Sequence, residues 1–298
     1  MSNLSELLPT GGGQNAVDFV ASGTLSSGQT VALKSDGTVV AISATGSPQE
    51  LGTPVTFTSG TSGSADNSVA YDTANNKIII AYRDNGNSNY GTAIIGTVSG
   101  TSISFGTAVV FESAATAYCS ATYEASTETV VIAYQDAGNS QRGTAIVGTI
   151  SGTSVSFGSP SIFASGATLF ISSAYDSTNN KVVISYQDYG VSGYGRAIVA
   201  TVSGTSVSFG SAATFESATT EYTSCVYSST DEKIVISYKD SGNSSRGTSI
   251  VGTVSGTSIS FGTAVVFNTG NCSQISSAYD SANNKVVIAF YLFNYKHN

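Results

Sequence analysis

The stretch from Tyr118 to Phe163, YCSATYEASTETVVIAYQDAGNSQRGTAIVGTISGTSVSFGSPSIF, decides the fold. It holds four short runs rich in β-branched and aromatic residues, which favour a pleated, half-buried surface. Tyr118 to Tyr123 reads as a first strand, followed by a turn over Glu124 to Glu128. Thr129 to Asp136 is a second strand, and Ala137 to Gln141 is a Gly/Asn loop. Gly143 to Ile150 makes a third strand, Ser151 to Ser154 a tight turn, and Val155 to Phe163 a fourth strand. The second and third runs are almost continuously apolar, the pattern of strands covered on both faces.

The same unit recurs along the chain. Phe105, Phe157, Phe209 and Phe261 stand 52 residues apart, as do Tyr71, Tyr123, Tyr175, Tyr227 and Tyr279, and Asp84, Asp136, Asp188 and Asp240. A fixed period near fifty residues marks one supersecondary unit copied several times. Four short antiparallel strands per unit is the pattern of a propeller blade. The first-and-second-strand pair occurs five times. The third-and-fourth pair begins at Gly91, Gly143, Gly195 and Gly247, and a fifth copy, Gly37 to Phe57, aligns without gaps on Gly91 to Phe111.

The expectation is therefore an all-β, five-bladed β-propeller of four-stranded antiparallel blades over residues 37–298. Residues 37–57 and 274–291 share one blade and close the ring, which hides two sheet edges. The Phe and Tyr series are expected in the core. Small residues at strand centres (Ala81, Ala133, Ser185, Ser237, Ala289; Gly96, Gly148, Ala200, Gly252) are expected to let sheets approach near the axis. Residues 1–36 lie outside the repeat as an arm and candidate anchor. Extra strands are expected within Asn15 to Leu33, with Ser35-Asp36-Gly37 as a hairpin turn.

Composition narrows the function. Only 10% of the 298 residues are charged and the net charge is −8, which disfavours phosphate-binding and anionic membrane surfaces. No apolar run approaches the ~20 residues of a transmembrane helix. Met1 to Gly13 lacks the basic and apolar regions of a signal peptide. The three cysteines, Cys119, Cys225 and Cys272, have unrelated spacings that suggest neither a disulfide framework nor a zinc site. Histidine occurs once, at His297, which leaves no basis for a Ser/His/Asp or Cys/His arrangement.

The D-x-G-N-S loops at Asp84, Asp136 and Asp240, with a diverged copy at Asp188, are dense in oxygen atoms and could hold calcium. Aspartates capping loop amides explain the same pattern, so no metal or other cofactor is assigned. The turns at Asp72, Asp176 and Asp280 are read the same way. Positions that depart from the repeat are better candidates, because scaffold has no reason to vary. Tyr90, Arg142, Tyr194 and Arg246 precede the third strand, Tyr189 joins the same loop, and Tyr118, Phe170 and Tyr222 start the first strand. Exposed Tyr and Arg on one rim suit stacking on sugar rings and hydrogen bonding to their hydroxyls. A glycosidase would need two carboxylates roughly 5 to 9.5 Å apart. Asp84 and Asp188 across a channel are candidates for such a pair, but nothing marks them as special.

Phe19 to Ile42 (FVASGTLSSGQTVALKSDGTVVAI) and the string GTVSGTSISFGTAVVF, at Gly96 to Phe111 and Gly252 to Phe267, resemble repeat proteins of bacteriophages, especially marine ones, found as virion and tail-fibre proteins. The resemblance implies a non-enzymatic structural or adhesive part displayed on a virion. The arm would contact other virion proteins and the rim a host-surface glycan, and copies could associate as homo-oligomers. It carries over no catalytic residues. The expected shape is also similar to five-bladed propeller lectins, without their sugar-binding motifs. The alternatives are a carbohydrate-active enzyme of glycosidase type and a secreted or cell-surface lectin.

Overall fold

The computed structural model describes residues 31–33, 39–41, 51–58 and 63–293. The chain divides into two compact units, Met1–Leu51 and Gly52–Asn298. In the first, Val31–Leu33 pairs antiparallel with Val39–Ala41. These strands flank the expected turn at Ser35 to Gly37, which lies outside the described residues, as do Asn15 to Thr30.

The second unit is entirely antiparallel β-structure, with three single-turn 3-10 segments and no α-helix among the described residues. Its first module pairs Ser64–Asp72 with Lys77–Asp84, and that strand with Tyr90–Ser99. The fourth strand comes in two pieces. Ser102–Phe105 pairs with one half of Tyr90–Ser99, and the first residues of Val109–Glu124 pair with the other. Val109–Glu124 then changes partner: from Thr116 onward it pairs with Thr129–Asp136 and becomes the first strand of the second module.

The scheme repeats through Arg142–Ser151, Ser154–Phe157 and Ser161–Asp176, then Lys181–Asp188, Tyr194–Ser203, Ser206–Phe209 and Ala213–Ser228. It runs once more through Lys233–Asp240, Arg246–Ser255, Ser258–Phe261 and Val265–Asp280, and ends in a hairpin with Lys285–Leu292. The described residues thus hold four four-stranded modules and one two-stranded hairpin. No register joins Lys285–Leu292 to Ser64–Asp72, so the sheet is open there. The expected closure by a shared blade is not seen. Residues 42–50 lie outside the described residues, and 39–41 pair instead with 31–33.

Modules pack face to face. Strand residues alternate sides, so Val130, Ile132 and Tyr134 of the second module join the core of Ile79, Ala81, Ala93 and Ile95. Their neighbours Val131 and Ala133 join Val182, Ile184 and Tyr186 of the third. The near-continuous apolar runs follow from this burial on both faces. Between modules the rings meet in threes: Phe111 lies 5.1 Å from Tyr134 and 5.8 Å from Phe157. Phe163 and Phe215 repeat the arrangement in the next two interfaces.

The fully buried tyrosines are Tyr82, Tyr134, Tyr186 and Tyr238, in the second strands. Of the Tyr71 series, Tyr123, Tyr175 and Tyr227 are partly buried and pack against the core. Tyr227 and Tyr279 donate to Thr178 and Thr230 of the preceding module, each at 2.7 Å. A Cβ on Gly148 would meet Phe157, Val130 and Val155 of its own sheet.

Polar seams reinforce the packing. The Oγ atoms of Ser68, Ser120, Ser172 and Ser224 accept from the amides of Ala121, Ser173, Cys225 and Ser277 of the following module, at 2.8 to 3.0 Å. Backbones also touch directly. A Cβ on Gly106, Gly158 or Gly210 would fall 1.8 to 2.0 Å from the carbonyl oxygen of Thr153, Thr205 or Thr257 in the next module. Only glycine fits that gap. Gly158→Ala is therefore expected to cost about 2–3 kcal/mol, the upper range for overpacking. Gly152→Ala, at φ 62° with nothing within 4 Å, should cost about 1 kcal/mol. Urea unfolding of both variants checks the order, and equal losses would contradict the proposed contact.

Candidate functional site

At one end of the second unit, the loops between second and third strands meet the starts of the first strands. The Thr116, Thr168, Thr220 and Cys272 amides each donate, at 3.0 Å, to a loop carbonyl of the preceding module: Asn89, Gln141, Gly193 and Ser245 respectively. Just beyond these bonds every first strand bulges. The register skips between Ala65 and Ser68, Ala117 and Ser120, Leu169 and Ser172, Glu221 and Ser224, and Ser273 and Ser276. The first residue of each bulge has left-handed backbone: Asp66, Tyr118, Phe170, Tyr222 and Gln274, with φ between 49° and 52°. That conformation costs about 1–2 kcal/mol for a residue with a Cβ. Bulges of this kind re-aim a side chain.

Three of the re-aimed side chains form a row. The Tyr118 and Phe170 ring centroids are 5.3 Å apart, and those of Phe170 and Tyr222 are 4.8 Å apart. Charged pairs flank it. Asp66 meets Arg83 at 3.2 Å, and Glu221 meets Lys239 at 2.6 Å, with the Lys239 ammonium 5.9 Å from the centre of the Tyr222 ring. Burial raises the Tyr118 hydroxyl above its ordinary range. Asp66, Tyr222 and Tyr189 raise it further, while Arg83 opposes them. Tyr189, exposed on its single-turn 3-10 segment, thus stands within electrostatic reach of the row.

The remaining expected residues do not join this row. Tyr90, Arg142, Tyr194 and Arg246 open the third strands at the same end and are half-buried. Arg142 donates to Asn139 at 3.2 Å and Arg246 to Asn243 at 3.1 Å, so each guanidinium is folded back on its own loop. Sequence reasoning missed Arg83 and Lys239. They occupy the same repeat position as Gln135 and Gln187, the last but one of the second strand, and that variation was the available signal. Arg196 was also missed. It replaces a threonine found at Thr92, Thr144 and Thr248, and it holds Asp188 at 3.1 Å and the Ala212 carbonyl at 2.8 Å.

The aspartates mostly serve turns. Asp84, Asp188 and Asp240 accept from the amides of Gly86, Gly190 and Asn243. Asp72, Asp176 and Asp280 each accept from two amides of their own turns. Asp84 and Asp188, the pair weighed for glycoside hydrolysis, are thus both engaged locally. Among the described residues no three His, Cys, Asp or Glu side chains gather as a metal site.

No family model matches the chain, and no curated protein does. Solved structures are similar in part. The Hadza microbial sialidase Hz136 is 10% identical with a TM-score of 0.48, over 72% of this chain and 48% of that one. A mutant Aleuria aurantia lectin in complex with α-methyl-L-fucoside is 17% identical at 0.43, over 65% and 57%. The SapL1 lectin in complex with α-methyl fucoside is 12% identical at 0.45, over 72% and 68%. This chain spans about half the length of the first two.

The three cysteines are buried, and burial pushes the Cys119 and Cys225 thiols up to about 12. Since the thiolate is the nucleophile, neither should react with a disulfide reagent at pH 8 until the protein is unfolded. A colorimetric thiol assay with and without denaturant tests this, and prompt reaction at either residue in the native protein would contradict it.

Proposed function

We propose that this chain is a non-catalytic carbohydrate-binding protein whose contact surface is the bulge row, Tyr118, Phe170 and Tyr222, with Tyr189 beside it. We propose further that the row is carried on a five-bladed β-propeller whose fifth blade is shared by residues 37–57 and 274–291. One observation carries the functional reading: three successive modules hold an aromatic residue in strained left-handed backbone, with rings 4.8 and 5.3 Å apart. Strain kept at equivalent places points to a use for the side chains it presents. Aromatic faces cover the apolar face of a sugar ring, and Tyr hydroxyls and flanking charged groups can bond its rim of hydroxyls. Asp66 and Glu221 are each paired with a cation, an arrangement suited to holding a ligand and unlike the unequal acid and base of a glycosidase.

The phage setting implied by the repeat resemblance would make a host-surface glycan the target. Neither the family models nor the curated proteins link the chain to phage proteins. The proposed function rests on the row alone.

The test is a glycan array with the full chain, then titration calorimetry on the best glycan. Phe170→Ala and Tyr222→Ala should each weaken binding about tenfold, the equivalent of about 1.4 kcal/mol, while Arg142→Ala and Arg246→Ala leave it unchanged. Absence of glycan binding, or binding indifferent to Phe170 and Tyr222, would remove the proposal. Release of cleaved sugar would replace it with the enzyme reading.

A further inference from the structure

The first strands of the five modules are joined in series by one bond repeated at every step. The Oγ atoms of Ser68, Ser120, Ser172 and Ser224 accept from the amides of Ala121, Ser173, Cys225 and Ser277. Two positions before each serine of this register the bulge begins, so Asp66, Tyr118, Phe170, Tyr222 and Gln274 follow one another in order at one end of the second unit. The left-handed backbone is kept at the two polar positions as well as at the three aromatic ones. A strained conformation retained five times at equivalent places points to a use for the whole series and not for one ring.

The spacing selects the shape of a ligand. The row offers one ring per module, with 5.3 and 4.8 Å between successive centroids. That interval is close to the length one pyranose occupies in a glycan chain. Successive rings are tilted by 56° and 48°, so none lies flat on its neighbour and part of each face stays open. A chain laid along the row sets one sugar on each ring, whereas a lone sugar leaves part of the row unused. Past Tyr222 the series turns polar. Gln274 is exposed, and its amide carries two donors and an acceptor for the hydroxyls of a further sugar.

The electrostatics select the charge. The two cations beside the row are each paired with a carboxylate, Arg83 with Asp66 at 3.2 Å and Lys239 with Glu221 at 2.6 Å. Neither is left over for a sulfate or a uronic acid. A net charge of −8 further repels an anionic chain. We infer that the row takes a linear, uncharged oligosaccharide of at least three sugars, one to each ring, with Gln274 bonding the next. This rests on the contact surface proposed above and names its ligand class.

The probes are linear oligosaccharides of glucose, mannose, galactose and xylose, from monosaccharide to hexasaccharide, with polygalacturonate and heparin fragments as charged counterparts. Calorimetry with the full chain should show affinity for at least one neutral series rising about tenfold from monosaccharide to trisaccharide. Equal affinity for the two, with Phe170→Ala lowering both, overturns the inference and leaves the contact surface standing. Binding confined to branched or charged glycans overturns it as well. No binding to any glycan removes the contact surface itself. In about 1 M sodium chloride the screening length is about 3 Å, and affinity for a neutral ligand should stay within about twofold. A steep fall would mark a charged ligand and overturn the inference. Gln274→Ala should weaken the tetrasaccharide and longer chains about fivefold, the worth of one hydrogen bond, and leave the trisaccharide unchanged. Loss at every length, or at none, overturns the assignment of Gln274.

Discussion

Each module depends on a neighbour, because its sheet is apolar on both faces and cannot stand in water alone. The alternation of Val130, Ile132 and Tyr134 with Val131 and Ala133 sends one set of side chains into each adjoining module. The same interface fixes the glycines that admit the next backbone and the serines that bind its amide. Hydrophobic area supplies the stability, while the close backbone contact and the serine bond set the register between modules. A solenoid or propeller holds together in this way, by nearest-neighbour contacts repeated along the chain.

Much of this architecture was legible. The 52-residue interval, the four strands of a module and the loop-capping aspartates all follow from local pattern, because each is decided by residues close in sequence. What was misread depends on the neighbouring module. Tyr123, Tyr175 and Tyr227 only edge the core, and Tyr227 and Tyr279 reach across to the preceding module's turn. Tyr134 and its equivalents, the true core rings, are hidden inside runs that read simply as strand. Gly158 falls inside the expected fourth strand, and its reason for being glycine is the Thr205 carbonyl, which no local pattern reveals.

The candidate site was legible in type and only partly in membership. Departures from the repeat singled out Tyr118, Phe170 and Tyr222, whose rings the fold sets side by side. A left-handed bulge at a tyrosine runs against backbone preference, however, so the sequence gives no hint that these rings are re-aimed into one row. Arg142 and Arg246 looked available because long cations usually reach for solvent. In the fold, Asn139 and Asn243 offer nearer acceptors, and the guanidinium groups turn inward. Arg83 and Lys239 escaped notice because their repeat position is held by glutamine in two other modules, where it reads as ordinary strand polarity.

The serine-to-amide bonds join residues 53 apart, one module length, and this short reach bears on how the protein is made. Nascent chains lengthen by about 5–20 residues per second, so a new module leaves the ribosome every few seconds. Each can dock on the one synthesised just before it, without waiting for distant sequence. Exposed sheet faces then persist only briefly, which limits the aggregation that threatens slow-folding β-proteins during translation.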